Sequence, residues 1–167
     1  MNHQVIDMHV HSNKSDGRES VAEVFAAAAA AGVSTLALTD HDTTSGWPEA
    51  RDLAAKHRIG FVPGIEVTTR ARVIDANGQE RRFGVHMLAY LPDPNNAALA
   101  AALAESVQSR EVRLREIVAK IANDFDVSWA DVEAELTEGA TAGRPAVADA
   151  LIARGHFINR GEVFEKV

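Results

Sequence analysis

The chain has 167 residues, of which 46% are hydrophobic and 25% charged, and its formal net charge is -7 at pH 7. This composition is typical of one globular α/β domain large enough to bury a core, and the negative charge argues against attraction to duplex nucleic acid or anionic lipid. The sequence contains no run of about 18 apolar residues and no signal-peptide pattern. It also lacks cysteine, which excludes disulfides and thiolate metal sites and favours a cytoplasmic location.

The first strand is predicted at residues 4–10, where apolar and polar side chains alternate. Asp7, His9 and His11 fall on one side of this strand. Two histidines at this spacing lie about 6–7 Å apart along a strand, so their imidazoles can converge on one metal ion. Without a metal or polar partners, burying them would be costly.

Two helices and three further strands follow. Ser20 and Glu23 have the spacing of a capping box before an alanine-rich helix, and Gly32 is placed to end that helix. "STLALTDHD" predicts the second strand, "GWPEARDLAAKH" the second helix and "IGFVPGIEVT" the third strand. Asn77-Gly78 is a strong hairpin signal, and this hairpin either joins or extends the third strand and a fourth, "RRFGVHMLAYLP".

The hairpin region is rich in arginine. We expect these side chains to form a solvated face, and the alternative is that one of them reaches a negative charge on a substrate. They are Arg70, Arg72, Arg81 and Arg82.

Only helices are predicted after Pro94. Residues 97–122 form a long helix with an apolar stripe, "SWAD" begins a shorter helix, and "PAVADALIARG" is a third. The stripe consists of Leu99, Leu103, Val107, Leu114, Ile117 and Ile121. The chain therefore divides into a β/α part, residues 1–94, and a helical part, residues 95–167.

Each predicted strand carries at least one metal-ligand side chain near its carboxyl end. Because parallel strands bring these ends to one edge of a sheet, where α/β barrels build their sites, we expect the side chains to meet, with Asp16 leaning over them from the first loop. Such a cluster indicates a metal or catalytic site. Its strand residues are Asp7, His9, His11, Asp40, His41, Glu66 and His86.

Some polar residues are interpreted more simply. His3, His57 and His156 occupy a tail, a helix end and a loop, and we assign them no ligand role. Asp42 fits an ordinary turn residue.

The ligand-bearing segments resemble the motifs of the PHP (polymerase and histidinol phosphatase) domains. "DMHVHSNKSDG" is similar to the first motif, "LTDHDT" to the second, "PGIEVT" to the third and "VHMLAY" to the fourth. "GRPAVADALIARG" and the later "EVF" resemble the helical insertion of stand-alone bacterial PHP phosphoesterases, which act on nucleotides and short RNA. The resemblance extends over essentially the whole chain, although the first motif alone would also fit the broader amidohydrolase class.

The resemblance implies a set of metal ligands. His9, His11 and Glu66 would hold one ion, and Glu66 would bridge to a second ion that His86 also binds. Asp16 and His41 would hold a third. The implied cofactors are two or three divalent ions of Mn, Fe or Zn.

Other roles are implied in the same way. Asp16, His41 and Glu66 would serve catalysis directly. Asp7 and Asp40 would orient neighbouring histidines. Arg144, in the "GRP" segment, would bind substrate phosphate, and the simpler alternative is an arginine that merely begins a helix.

The implied fold is a distorted TIM-like (β/α)7 PHP barrel of the α/β class, present only in part and followed by a helical insertion. Barrels of this kind usually need about 200 residues or more. The family's later histidine and final Asp-x-His have no counterpart here, so we expect the sequence to be the N-terminal part of a longer protein. Four strands cannot close a barrel, and an open sheet edge predicts self-association or packing against a missing piece.

The implied function is hydrolysis of phosphate esters by a metal-activated water, as in a phosphatase or an exonuclease. The expected partner is a phosphorylated small molecule, a nucleotide or short RNA, with no membrane and no stable binding of duplex DNA. Two alternatives stay open: a metal-dependent amidohydrolase acting on C–N bonds, and a non-catalytic, metal-stabilised PHP module. Histidinol phosphatase activity ranks lower, because the "GRP" insertion resembles the nucleotide-directed group.

Overall fold

Four strands and six helices make up residues 4–167, the part of the chain that this computed structural model describes. In chain order they are β1 (Val5–Val10), α1 (Val21–Ala30), β2 (Val33–Leu38), α2 (Trp47–His57), β3 (Gly60–Ile74), β4 (Glu80–Tyr90), α3 (Ala97–Ile121), α4 (Trp129–Ala134), α5 (Arg144–Ala153) and α6 (Arg160–Lys166). All four strands thus precede the long helix α3.

The strands form one sheet in the order β1-β2-β3-β4. The first two pairs are parallel, and β3 and β4 form an antiparallel hairpin. The Asn77-Gly78 turn explains this hairpin, because Gly78 has a φ of 75° and a parallel connection would need a dozen or more residues. The expectation that parallel carboxyl ends deliver every ligand is therefore wrong for β4, whose His86 lies opposite Thr68 in the hairpin.

The alanine-rich helix α1 packs beside α2 against β2. Phe25 and Ala28 of α1 are buried with Leu36 and Leu38 of β2 and Ala50 of α2, and the small alanines let helix and sheet approach closely. The predicted capping box at the start of α1 is confirmed. This packing holds the carboxyl end of β2, and hence the residues that follow it, in place.

The later helices have a core of their own. Leu114 and Val118 of α3 are buried against Val132 of α4 and Leu151 of α5, whereas Leu103 of α3 packs with residues of α2 and β3. One side of the long helix therefore contacts both parts of the chain. The helix start predicted at "SWAD" is confirmed at α4, where Ser128 and Asp131 form a capping box.

Both edge strands expose apolar side chains. Ile6 in β1 is 56% exposed, and Phe83, Val85 and Met87 alternate along β4 with 51%, 39% and 57% of their surface exposed. Because alternate residues of a strand share a face, the three β4 side chains form one apolar strip, opposite the face that carries His86. In the described part of the chain, no helix has the combination of length and apolarity that a membrane span requires.

Candidate metal centre

The first strand brings two histidines together. His9 lies in β1, and His11 comes directly after its last residue, Val10. The Nε2 atoms of the two rings are 3.0 Å apart, much closer than the roughly 6–7 Å that separates alternate positions along a strand. The rings therefore converge on one point, as their spacing predicts.

The carboxylate of Glu66 contacts three imidazoles. Its Oε2 atom lies 2.6 Å from Nε2 of His9 and 2.8 Å from Nε2 of His11. Its Oε1 atom lies 2.6 Å from Nδ1 of His86. Glu66 occupies this position because β3 leaves its parallel partner β2 at Pro63 and continues in the hairpin with β4. The side chain is only 7% exposed, so the carboxylate faces histidines more than water.

Asp16 connects the loop after β1 with the residues after β2. Its Oδ1 atom is 2.9 Å from Nδ1 of His11, and its Oδ2 atom is 3.6 Å from Nε2 of His41. His41 is buried and forms an isolated β-bridge with Glu66, and its Nε2 atom is 4.0 Å from Oε2 of that residue. The predicted ligands from four segments of the chain thus form one continuous cluster.

Asp40 fixes the loop that follows β1. Its carboxylate accepts hydrogen bonds from the Ser12 N–H and hydroxyl, both at 2.8 Å, and from the Ser15 hydroxyl at 2.6 Å. Gly17 closes this loop, since a Cβ there would lie 2.7 Å from the carbonyl carbon of Ser12. The Ser15 hydroxyl is 3.4 Å from Nδ1 of His11, so Asp40 reaches a histidine through a serine, and its orienting role stays a prediction.

The other predicted residues contribute less to the cluster. Asp7 accepts a hydrogen bond from the backbone N–H of His9 at 3.3 Å and does not bond to its ring, so its orienting role gains no support from this contact. His57 ends α2, and Nε2 of His156 is 3.1 Å from the backbone carbonyl oxygen of Asp126. His3 lies outside the described residues.

The cluster fits divalent cations. Two ligand atoms bonded to one ion at 2.0–2.2 Å in tetrahedral geometry are roughly 3.4 Å apart. The 3.6 Å between Oδ2 of Asp16 and Nε2 of His41 matches this value. Binding of an ion would lengthen the contacts of Glu66 with its histidines by less than about 1 Å. Nδ1 of His41, the ring nitrogen other than the proposed ligand Nε2, is buried without a hydrogen-bond partner among residues 4–167, and a water beside it would satisfy it. Three groups each offer ligand atoms within 4.8 Å of one another: His9, His11 and Glu66; His11, Asp16 and His41; and His41, Glu66 and His86.

The charges of the cluster move the pKa values of its members apart. The hydrogen bond with His11 lowers the pKa of Asp16 to about 2. Burial acts to lower the pKa of His11, but the hydrogen bond and charge of Asp16 outweigh it and raise that pKa. Burial lowers the pKa of His41. Burial acts to raise the pKa of Glu66, but the hydrogen bond with His9 and the other histidines lower it overall. Both carboxylates are therefore ionised at neutral pH, the form that binds cations.

A cavity of about 590 Å³ opens beside the cluster. Asp16, His41 and His86 line one side of it, and residues of α3 and the start of α5 line the other. Four arginines belong to this lining. The exposed ones are Arg70, Arg113 and Arg144, and Arg110 is largely buried.

The sequence analysis missed Arg110, which connects α3 to the cluster. Its Nη2 atom donates to Oδ2 of Asp42 at 2.7 Å and also to the Thr68 hydroxyl. Asp42 is more than a turn residue, because its buried carboxylate also accepts the N–H of Thr68 at 2.8 Å and its hydroxyl at 2.6 Å. One signal was available: Arg110 falls between Val107 and Leu114 on the apolar stripe, at helical spacing.

Comparisons with known proteins agree with this geometry. A family model described as the PHP domain matches residues 7–149. The 3',5'-nucleoside bisphosphate phosphatase of Chromobacterium violaceum is 38% identical over 133 residues, which cover 75% of this chain and 44% of that protein. The 5'-3' exoribonuclease of Haemophilus influenzae is 33% identical over 165 residues, which cover 96% of this chain and 55% of that protein.

A solved structure has the same fold. A proposed metal-dependent phosphoesterase from Bifidobacterium adolescentis superimposes with a TM-score of 0.84 at 34% identity, covering 98% of this chain and 55% of that one. The chain thus spans about half the length of the relatives it matches. The predicted fold class, part of a TIM-like PHP barrel with additional helices, is confirmed. With a family match over most of its length and the motif side chains gathered in one cluster, the chain belongs to the PHP domain family.

Proposed function

We propose that this chain carries the metal centre of a metal-dependent phosphoesterase that hydrolyses phosphate esters of nucleotides or short oligonucleotides through a metal-activated water. One observation carries the proposal: the buried Glu66 carboxylate lies within 2.8 Å of nitrogens of three histidines, beside a cavity lined by arginines. Carboxylate and imidazole ligands suit divalent cations, and guanidinium groups suit phosphate.

The cluster supports two or three ions of Mn, Fe or Zn. His9, His11 and Glu66 would hold one ion, and Glu66 with His86 would hold a second. Asp16 and His41 would hold a third. When bound, the cations supply positive charge and a water of lowered pKa as nucleophile.

The protonation states of the ligands support this assignment. With a pKa of about 2, Asp16 is a weak base at neutral pH, so it serves better as a ligand than as a proton acceptor. Because burial lowers the pKa of His41, its neutral imidazole, the form that binds cations through a ring nitrogen, is favoured. The neighbouring histidines lower the pKa of Glu66 and so keep it ionised. Its Oε2 atom faces His9 and His11, and its Oε1 atom faces His86.

The arginines beside the cluster support an anionic substrate. Arg144 is the first residue of α5 and lines the same cavity as Asp16. Its position therefore fits both a phosphate-binding residue and an arginine that merely begins a helix. Pro145 has no N–H and the N–H of Ala146 donates to the carbonyl oxygen of Gly143 at 3.1 Å, so the guanidinium of Arg144 is the group at this helix start that suits an anion. We propose that Arg144 binds a phosphoryl oxygen and stabilises the negative charge that develops there.

The substrate class is supported by the relatives. One is named for nucleoside bisphosphates and another for 5'-3' degradation of RNA, so we propose a nucleotide or short RNA, cleaved as by a phosphatase or exonuclease. Residues 95–167 would form the substrate cap, since α3 and α5 line the cavity. With a net charge of -7, stable binding of duplex DNA is not expected. The cytoplasmic location stays a prediction.

The proposal is tested by assaying the full protein with Mn²⁺ against matched panels of phosphate esters and amides. We expect release of inorganic phosphate from nucleotides carrying a terminal phosphate, and its loss in His9→Ala. Arg51, an exposed arginine of α2 outside the cavity lining, provides a control as Arg51→Ala, which should keep the wild-type rate.

Other results would favour the alternatives. Hydrolysis of amides but not of phosphate esters would indicate the amidohydrolase. Bound metal with no turnover of either panel would indicate the non-catalytic module. An unchanged phosphatase rate in His9→Ala would contradict the catalytic role of this centre.

A further inference from the structure

The segment between α4 and α5 contacts both loops that carry the ligands of the third proposed ion. The backbone N–H of Thr141 donates to the carbonyl oxygen of Lys14 at 3.0 Å, two residues before Asp16. The Thr141 hydroxyl donates to the carbonyl oxygen of His41 at 2.9 Å. One residue of the helical part is therefore bonded to the loop of one ligand and to the backbone of the other.

Further hydrogen bonds join the same three segments. Lys14 Nζ donates to the carbonyl oxygen of Glu138 at 3.1 Å, and the Ser45 hydroxyl donates to that of Gly139 at 3.1 Å. The Thr137 hydroxyl donates to the carbonyl oxygen of Asn13. Residues 137–141 are thus tied to the loop after β1 and to the segment after β2, with bonds in both directions.

The backbone of Asp16 itself receives a contact from the helical part. Arg160 donates to the carbonyl oxygen of Asp16 through Nη1 at 3.4 Å. Asp149 of α5 holds this guanidinium in place, with its Oδ1 atom 2.7 Å from the Arg160 Nε atom. The loop that carries Asp16 is therefore positioned by the helices and not only by its own hydrogen bonds.

Burial makes Thr141 the central member of this set. Its side chain is almost fully enclosed, with 5% of the residue exposed, so its hydroxyl has little access to water as an alternative partner. Asp16 and His41 have no strand pairing with each other, and their 3.6 Å separation depends on how two loops are held. A change of a few tenths of an ångström at the His41 backbone would alter the distance between the two ligands.

We propose that residues 137–141 act as a clamp that sets the separation of Asp16 and His41, with Thr141 as the positioning residue for the cation that these two side chains share. The inference rests on the proposed function, because it takes Asp16 and His41 as cation ligands. It adds that the helical part contributes to metal binding without supplying a ligand.

The test compares Mn²⁺ binding by the full protein and three variants. Thr141→Val keeps the shape and the backbone N–H but removes the hydroxyl, Thr141→Ser restores the hydroxyl, and Thr35→Val changes a threonine at the other end of β2. Calorimetric titration gives the affinity of each class of site, and electron paramagnetic resonance of Mn²⁺ reports its coordination. We expect Thr141→Val to weaken one class of site, that of the ion shared by Asp16 and His41, by about 10-fold or more with the other classes unchanged. Both other variants should bind as the wild type does.

The outcomes separate this inference from the proposed function. Equal Mn²⁺ affinities and spectra in Thr141→Val and wild type, or equal weakening of all classes, would overturn the clamp and leave the phosphoesterase proposal intact. A wild-type protein that binds no Mn²⁺ would overturn both. If Thr141→Val does not fold, Lys14→Met replaces it, because it removes the exposed bond to Glu138. Unchanged binding of every class of site in that variant would overturn the clamp.

Discussion

The guanidinium of Arg110 lies 2.7 Å from the carboxylate of Asp42, across 68 residues of sequence. The Asp42 side chain is fully buried and that of Arg110 is 12% exposed. Because Asp42 directly follows the proposed ligand His41, this pair fastens the long helix α3 to the metal centre.

We expect Arg110→Met to lower the free energy of unfolding by about 3 kcal/mol, because it leaves a buried carboxylate without its charged partner. Urea unfolding of the metal-free protein measures this change. Arg113→Met is the matched control, since Arg113 is exposed on the same helix and its replacement should change stability little. Equal stabilities of the two variants would contradict a stabilising role for the pair.

Glu66→Gln should retain the fold and lose bound metal. The substitution keeps the shape of the side chain but removes the charge that faces three histidines, and we expect cation affinity to fall by at least about 100-fold. Elemental analysis after dialysis against a low concentration of Mn²⁺ measures the loss. Glu80→Gln, an exposed change on the same hairpin, is the control and should bind as much Mn²⁺ as the wild type. Equal metal content in the Glu66→Gln and Glu80→Gln variants would argue against Glu66 as a shared ligand.

The pH dependence of metal binding should follow His11. In the metal-free protein the pKa of His11 is raised from 6.5 and that of His41 is lowered from it. As pH falls, His11 therefore takes up its proton first, and Mn²⁺ affinity should begin to decline above pH 6.5. For the metal-free fold the sign is opposite: the stability that protonated His11 contributes is complete below pH 6.5 and is lost as pH rises through its raised pKa.

NMR titration of the imidazole resonances in the presence of a chelator checks this order. Asp16→Asn should lower the pKa of His11, because it removes the hydrogen bond and the charge that outweigh burial. If His11 and His41 both titrated with a pKa of 6.5, the cluster would not shift their pKa values, and this prediction would be wrong.

Self-association through the open edges of the sheet is expected for residues 1–167. Phe83, Val85 and Met87 form an exposed apolar strip on the edge strand β4, and such edges pair with other chains unless they are covered. Sedimentation analysis should show association that increases with concentration, and Val85→Lys with Met87→Lys should reduce it. A single monomeric species at all concentrations would contradict this expectation.

The sequence by itself determined the features that depend on neighbouring residues. The capping box at Ser20 requires only Glu23 three positions later, and the hairpin requires only the positive φ that Gly78 adopts readily. The convergence of His9 and His11 follows from the alternation of side chains along a strand. Motif order along the chain then sufficed to name the side chains that the fold gathers into one cluster.

Only the tertiary structure decided how distant segments support that cluster. The bonds of Arg110 to Asp42 and of Thr141 to His41 span 68 and 100 residues. The helical spacing of Arg110 indicates which face of α3 it lies on, but no spacing in the sequence identifies the partner of either residue. The position of His86 likewise depends on the register between β3 and β4. Such contacts arise from the way helices pack over loops, and packing is fixed by the summed burial of many side chains, which no short stretch of sequence specifies.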